Sequence, residues 1–103
     1  MIRVNVLYPN NAGATFDIGY YLSKHMPMVR ERMGLALKSM TVDQGMSGGL
    51  PGTEPAYQVV TALGFESVEA FQLAFVPHAP EIQGDIAKFT NVVPTIQISE
   101  VRM

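Results

Sequence analysis

The sequence contains no cysteine and no tryptophan, and it carries no excess of positive charge. The absence of cysteine excludes disulfide bonds, thiolate nucleophiles, zinc fingers and iron–sulfur clusters. Because nucleic-acid binding relies on a basic surface, the formal net charge of −2 at pH 7 argues against a nucleic-acid partner. Acid–base chemistry near neutral pH must therefore depend on a small set of side chains, which includes only two histidines, His25 and His78.

Long apolar runs are also missing from the sequence. No stretch approaches the roughly 20 apolar residues of a membrane-spanning helix, and residues 1–6 lack the basic region and apolar core of a signal peptide. We therefore expect a cytoplasmic protein without a membrane partner. The 103 residues, of which 48% are hydrophobic, have room for a single domain over residues 1–103, whose core needs neither disulfides nor a metal.

The first third of the chain predicts a strand followed by a long helix. Apolar side chains alternate over Ile2–Tyr8, which is the period of a strand with one buried face. Over Phe16–Met33 the apolar period becomes helical, and Gly34 is a typical residue for the end of a helix. Because proline cannot donate a backbone hydrogen bond, we expect the helix to kink or restart at Pro27 and to leave room for a ligand nearby.

Three further strands are predicted at Leu37–Gln44, Tyr57–Phe65 and Thr95–Arg102, and the glycine-rich loop Gly45–Gly52 joins the first two. A second helical segment lies before the last strand. Its N-cap is Ser67, and we expect Pro77 and Pro80 to interrupt it before a shorter helix at Ile82–Ile86. The order β-α-β-β-α-β predicts a ferredoxin-like α+β fold, in which a four-stranded antiparallel sheet carries both helices on one face.

Both faces of this sheet carry apolar residues in the sequence pattern. One set comprises Leu7, Met40, Val42, Val60 and Val101, and the other comprises Ile2, Val59, Leu63 and Ile96. A two-layer monomer would leave one partly apolar face in water, which favours association. We therefore expect a homodimer, since two-fold symmetry is the commonest arrangement of identical chains.

Three polar residues of the first helix are spaced for joint action. Asp17, Tyr21 and His25 follow one another at intervals of four residues, which places them on one helix face with a drift of about 40° per step. His25 lies beside the apolar stripe, so we expect burial to lower its pKa and keep the ring neutral near pH 7. A neutral imidazole next to a tyrosine hydroxyl can act as a general base or acid. Alternatively, Tyr21 and His25 are packed helix residues whose polar tips bond to the backbone.

The other chemically active residue types form no recognisable site. His78 lies in a Pro-His-Ala-Pro segment, and a metal shared with His25 would need a further ligand for which no short motif exists. Ser23 and His25 point to different sides of the helix, which argues against a serine nucleophile. We therefore expect neither a metal site nor a bound cofactor.

Several short pieces of the chain occur together in the order and spacing of a known family. They are Leu7-Tyr8-Pro9, Phe16-Asp17, Tyr20-Tyr21, His25-Met26-Pro27-Met28-Val29, Gly84-Asp85-Ile86, Phe89-Thr90-Asn91, Pro94 and Gln97-Ile98-Ser99-Glu100-Val101. Together they resemble the EthD family, named for ethyl tert-butyl ether degradation. The resemblance covers nearly the whole chain, and the pattern Tyr-Tyr-x3-His-x-Pro is its most specific part.

The resemblance implies a dimeric α+β barrel, in which each subunit is ferredoxin-like and has a pocket between its sheet and its helices. Relatives with this architecture include cofactor-independent monooxygenases, polyketide cyclases, lactone isomerases and haem-handling enzymes. The EthD family itself is associated with ether catabolism alongside an oxygenase system. The family motifs imply His25 and Tyr21 as catalytic candidates. The implied substrate-binding candidates are Tyr20, Met28, Asn91 and Gln97.

Three functions follow from these observations. The first is an enzyme that binds a small, largely apolar organic molecule and transfers protons through His25 with the help of Tyr21, in a dehydration, isomerisation, cyclisation or cofactor-free oxygenation. The second is a non-catalytic accessory or carrier protein that supports an oxygenase system. The third is a haem-binding barrel with His25 or His78 as the axial ligand.

Overall fold

The computed structural model describes residues 1–103 and confirms the predicted ferredoxin-like α+β fold. The strands are β1 (Ile2–Pro9), β2 (Ser39–Gln44), β3 (Tyr57–Phe65) and β4 (Thr95–Glu100). They form one four-stranded antiparallel sheet in the order β2-β3-β1-β4. Two strand ends differ from the prediction, since β2 begins at Ser39 rather than Leu37 and β4 ends at Glu100 rather than Arg102.

The first helical segment consists of three consecutive pieces. They are α1 (Ile18–Tyr20), a π-helical turn (Tyr21–His25) and α2 (Met26–Met33). Asp17 begins the segment as its N-cap, with a carboxylate that accepts a hydrogen bond from the Tyr20 amide at 3.0 Å. The side chain of Asp17 thus has a capping role and does not join Tyr21 and His25.

Pro27 lies in the first turn of α2, so the helix restarts at this residue. The Met26 amide donates to the Tyr21 carbonyl, which is the five-residue spacing of a π turn. Proline is tolerated here because amides in the first turn of a helix have no helical partner to lose. The segment ends as predicted at Gly34, whose φ of 60° is a left-handed conformation that glycine adopts at low cost.

The second helical segment consists of α3 (Val68–Phe75), a 3₁₀ turn (Val76–His78) and α4 (Ala79–Gly84). Ser67 caps α3 as predicted, because its hydroxyl accepts a hydrogen bond from the Ala70 amide at 3.0 Å. The prediction that Pro80 interrupts the segment is wrong: Pro80 lies in the first turn of α4, which begins before the predicted Ile82. None of the helices is long and apolar enough to cross a membrane.

The strand register determines which side chains face the helices. Val4 lies opposite Leu63, and both are buried on the helix-covered face of the sheet. Since side chains alternate along a strand, the neighbouring pair of Leu7 and Val60 lies on the open face. The buried hydrophobic core lies between the covered face and the helices and consists of Val4, Tyr8, Tyr21, Met26, Val29, Met33, Val59, Leu63, Phe65, Ile82 and Phe89.

The open face of the sheet is less apolar than the sequence pattern suggests. Met40 pairs with Leu63, and this register turns both Met40 and Val42 toward the helix-covered face. The open face then carries the polar residues Arg3, Asn5, Thr41, Asp43, Gln97 and Ser99. Its apolar part narrows to Leu7, Val60 and Ala62.

Candidate functional site

A cavity of about 510 Å³ lies between the helix-covered face of the sheet and the helices. This volume falls within the range of pockets that bind small organic molecules. Of the 18 lining residues, 14 are hydrophobic, and the polar side chains among the others are His25, Thr61 and Gln83. The hydrophobic lining comprises Val4, Val6, Tyr8, Tyr21, Met26, Val29, Met33, Leu63, Phe71, Phe75, Ile82, Ile86, Val93 and Ile96.

The cavity is deep at the centre of the sheet and open near β4. Val93 and Ile96 line it, yet they are 84% and 54% exposed. On the opposite walls, Val4 of β1 and Val29 of α2 are buried. A ligand can therefore enter past an apolar rim at this edge of the sheet.

His25 lies on the cavity wall and is only 3% exposed. Its Nδ1 is 2.9 Å from Oδ2 of Asp85, and because a carboxylate only accepts hydrogen bonds, Nδ1 carries the ring proton. Nε2 then has a free lone pair and makes no hydrogen bond within the protein. Every fully buried polar side-chain atom in the structure has a hydrogen-bond partner. Because Nε2 of His25 has none, it is not fully buried, and we infer that it is open to the cavity that His25 lines.

The charge states of this pair follow from its surroundings. Burial lowers the pKa of His25 below 6.5, and the hydrogen bond and charge of Asp85 oppose this shift only in part. Burial by itself would raise the pKa of Asp85, but hydrogen bonds from His25 and Tyr20 bring it below its ordinary value. At neutral pH, Asp85 is therefore ionised and His25 is a neutral base.

Asp85 connects the buried imidazole to the protein surface. Its Oδ1 accepts a hydrogen bond from the Tyr20 hydroxyl at 2.8 Å, and Nζ of Lys88 lies 3.5 Å from the same oxygen. The hydrogen bond to Asp85 raises the pKa of Tyr20, which keeps the phenol protonated. Donors on both carboxylate oxygens fix the orientation of Asp85 and, through it, the tautomer of His25.

Tyr21 contacts His25 through its ring, while its hydroxyl bonds elsewhere. The two rings stack at a centroid distance of 5.4 Å and an angle of 16° between their planes. The Tyr21 hydroxyl lies 2.5 Å from Oγ1 of Thr61 on β3. Burial raises the pKa of Tyr21, so the phenol is neutral. The π turn holds both rings on the cavity wall, and such turns are frequent at functional sites.

Two of the predicted substrate-binding residues lie on the surface between the helical segments. Tyr20 and Met28 line a shallow hollow together with Asp85 and Lys88, and they do not line the apolar cavity. Tyr20 still reaches the site indirectly, because its hydroxyl donates to the carboxylate that holds His25.

The other two predicted substrate-binding residues, Asn91 and Gln97, also do not line the cavity. Asn91 joins two loops, since its side chain accepts from the Thr15 amide at 2.9 Å and donates to the Gly13 carbonyl at 3.0 Å. Gln97 lies on the open face of the sheet and donates to the Ser99 hydroxyl at 3.0 Å. Of the predicted site residues, only His25 and Tyr21 line the apolar cavity.

His78 lies in the 3₁₀ turn between α3 and α4 and does not line the cavity. The structure contains no group of three or more histidine, cysteine, aspartate or glutamate side chains that could hold a metal ion.

The sequence pattern alone assigns no role to Asp85 or Thr61. Thr61 interrupts the apolar alternation of Val59, Leu63 and Phe65 on β3, and a polar residue at a buried strand position is a signal for a buried hydrogen bond. Asp85 stands in one of the family-like pieces of the sequence. Its pairing with His25, 60 residues earlier, depends on how the two helical segments pack.

The fold and the site together define a ferredoxin-like α+β protein with a ligand-sized apolar cavity and one neutral imidazole on its wall. The crystal structure of an EthD-like protein from Ralstonia eutropha JMP134 superposes on it with a TM-score of 0.94 and 45% sequence identity, over 99% of this chain and 92% of that chain. At this identity over nearly its full length, the chain belongs to the EthD family.

Two more distant structures share the fold. An ethyl tert-butyl ether degradation (EthD) family protein from Bacillus halodurans C-125 has a TM-score of 0.75 and 21% identity, over 99% of both chains. HapK from Hahella chejuensis has a TM-score of 0.59 and 12% identity, over 99% of this chain and 93% of that chain. No protein-family model and no curated protein sequence matches this chain.

Proposed function

We propose that this protein binds a small, largely apolar organic molecule in its cavity and that His25 transfers protons to and from the bound molecule. The observation that carries the proposal is the open Nε2 of a neutral imidazole whose other nitrogen is fixed by Asp85. A general base needs a free lone pair near the working pH and an orientation that is set before the substrate arrives.

Asp85 supports this chemistry in two ways. It holds the proton on Nδ1, so that Nε2 is the basic atom. When Nε2 takes up a proton, the negative charge of Asp85 stabilises the imidazolium within a largely apolar surrounding. Tyr21 packs against the imidazole and restricts its rotation. Dehydration, isomerisation, cyclisation and cofactor-free oxygenation can each begin with such a proton removal.

Membership of the EthD family supports a place in catabolic or secondary metabolism. The family name of the Bacillus halodurans relative refers to the degradation of ethyl tert-butyl ether, which is a small and largely apolar molecule. The cavity has the matching character, because 14 of its 18 lining residues are hydrophobic. We further propose that the protein acts in the cytoplasm.

We further propose that two copies associate through the open face of the sheet as a homodimer. Leu7, Val60 and Ala62 form an apolar row on this face, and no helix covers them. A second sheet packed against the first would bury this row between polar flanks such as Asn5 and Gln97.

A carrier or accessory role for an oxygenase system is the second candidate function. The small number of polar groups in the lining favours this role, because an apolar molecule can bind in a hydrophobic cavity without any catalytic group.

A turnover screen with matched histidine variants separates these functions. A panel of ethers, lactones and polyketide-like phenols is tested for binding and for conversion by the wild type, His25→Gln and the control His78→Gln. We expect His25→Gln to keep its binding and to lose about 10²-fold or more of the rate, while the control behaves as the wild type. Binding without conversion of any compound would favour the carrier, and absence of binding would contradict the whole proposal.

A further inference from the structure

Three hydroxyl groups share the cavity wall with His25. Tyr8, Tyr21 and Thr61 all line the cavity and are 2%, 1% and 1% exposed. The oxygens of Tyr21 and Thr61 are 2.5 Å apart. Burial first, and then the contact with Tyr21, raises the pKa of Tyr8, so this phenol is also neutral. We refer to Tyr8, Tyr21 and Thr61 as the hydroxyl cluster.

The hydroxyl cluster has more O–H groups than internal hydrogen bonds. Each hydroxyl can donate one hydrogen bond, and a single hydrogen bond joins Tyr21 to Thr61 in whichever direction it runs. The pair of Tyr21 and Thr61 taken alone has two protons for one link. Since none of the three hydroxyls bonds to any other part of the protein, at least one buried O–H group has no acceptor except one inside the cavity.

The cavity wall therefore presents two complementary groups side by side. One is the free O–H of the hydroxyl cluster, which needs an acceptor, and the other is Nε2 of His25, which needs a donor. The ring of Tyr21 stacks on that of His25 at a centroid distance of 5.4 Å, so the two residues lie next to each other on the cavity wall. Apart from these groups, Gln83 has the only polar side chain in the lining.

We propose that the ligand is an enolisable carbonyl compound with an apolar body, whose carbonyl oxygen accepts the free O–H and whose adjacent C–H faces Nε2 of His25. This inference rests on the proposed function and names the substrate class of the same site. A C–H next to a carbonyl is the acidic group that a neutral imidazole can deprotonate once the forming negative charge is stabilised.

The chemical step needs no oxidant and no cofactor. The C–H bond breaks and its proton moves to Nε2 of His25, while its electron pair forms the C=C bond of an enolate. The π electrons of the carbonyl move to its oxygen, where the free O–H of the hydroxyl cluster stabilises the negative charge by hydrogen bonding. Return of the proton to oxygen or to another carbon completes a tautomerisation, and Asp85 stabilises the imidazolium in between.

Hydrogen exchange of a simple ketone tests this step directly. The probe is 2-tetralone in deuterated buffer, with loss of the proton signal next to its carbonyl followed by NMR. We expect the wild type to accelerate the exchange and His25→Gln to lose about 10²-fold or more of that acceleration. Tyr21→Phe and Thr61→Val should each lose about 10-fold or more, because each removes a hydroxyl from the cluster.

Two controls separate binding from chemistry. Tyr57 on β3 is 37% exposed and does not line the cavity, so Tyr57→Phe should exchange as the wild type does. Binding of 2-methylnaphthalene, a hydrocarbon of similar shape, should be retained in every variant, which also shows that the variants fold.

The outcomes distinguish this inference from the proposed function. If 2-methylnaphthalene binds and the wild type exchanges no protons of 2-tetralone, the substrate class is wrong and the binding role stands. If exchange depends on His25 but is unchanged in both Tyr21→Phe and Thr61→Val, the role of the hydroxyl cluster is overturned. If the hydrocarbon does not bind the wild type, the proposed function itself fails.

Discussion

On the helix-covered face of the sheet, Thr61 bonds to Tyr21 inside an apolar cavity, whereas on the open face Gln97 and Asn5 bond to Ser99 near solvent. Both faces therefore carry polar side chains on neighbouring strands. On the covered face, burial shifts pKa values and leaves an O–H and a ring nitrogen without partners in the protein. On the open face, water can satisfy any unused donor or acceptor. Enclosure of the polar groups, more than their type, makes the covered face the candidate site.

The largest expected difference between the two faces is in packing. Leu63 on the covered face is 8% exposed, and Leu63→Ala should lower the free energy of unfolding by about 2–5 kcal/mol because it removes buried methyl groups and leaves a void. Leu7 on the open face is half-buried, and Leu7→Ala should cost roughly 1 kcal/mol in a dilute sample. Urea unfolding of the two variants beside the wild type measures both values.

The same pair of variants bears on the homodimer. If two copies cover the open face, Leu7→Ala should weaken their association in sedimentation experiments at micromolar concentration, while Leu63→Ala should leave the association constant of the folded chains unchanged. A wild type that stays monomeric at these concentrations would contradict the proposed homodimer. If the protein is monomeric and Leu7→Ala lowers the free energy of unfolding as much as Leu63→Ala does, the difference in burial between the two faces would be contradicted.

A smaller difference is expected in the pH dependence of stability. The pKa of His25 lies below 6.5 in the folded protein, so between that lowered value and 6.5 the unfolded chain binds more protons than the folded one. Stability should therefore fall as the pH drops below about 6.5, with a slope of at most about 1.4 kcal/mol per pH unit, and level off below the folded-state pKa.

Unfolding of the wild type and His25→Gln between pH 7.5 and 5.5 isolates this contribution. We expect the slope in the wild type and its loss in the variant. Asp85 and Glu81 also have lowered pKa values, but their ordinary values of 3.8 and 4.5 lie below this window, so their effect on stability falls mainly at lower pH. Equal slopes in both proteins would show that burial of His25 does not disfavour its protonation.

The smallest effect is expected on the open face. Gln97→Ala removes an exposed hydrogen bond to Ser99 and should change the free energy of unfolding by less than about 1 kcal/mol. Binding of 2-methylnaphthalene should stay at the wild-type value, because Gln97 is not part of the cavity lining. Weaker binding in this variant would instead support the substrate-binding role that the family-like motif predicts for Gln97.

Local signals in the sequence predicted the elements of the fold well. Alternation over Ile2–Tyr8, the cap at Ser67 and the stop at Gly34 each act through neighbouring residues, and each matches the structure. The prediction errors occur where contacts between distant residues, or a change from one helix type to another, determine the local structure. Pro80 begins a helix instead of ending one, and the register of β2 turns Met40 toward the helices.

The candidate site was predictable only in part, because it also depends on contacts between residues that are far apart in the sequence. The spacing of Tyr21 and His25 and the burial of His25 follow from one helix and one apolar stripe. The partners of these side chains do not, since Asp85 is 60 residues from His25 and Thr61 is 40 residues from Tyr21. The π turn has no clear sequence signature apart from Pro27, whose missing amide proton permits a break in the regular hydrogen-bond pattern.

The π turn also identifies the place where the first helical segment can change in length. The turn contains one residue more than an α-helical turn would, and its middle residues Leu22, Ser23 and Lys24 are all exposed. Deletion of any one of them would preserve every buried side chain and convert the five-residue hydrogen bond into a regular α-helical one. Because the extra residue is confined to this turn, α1 and α2 should keep nearly the same orientation relative to each other.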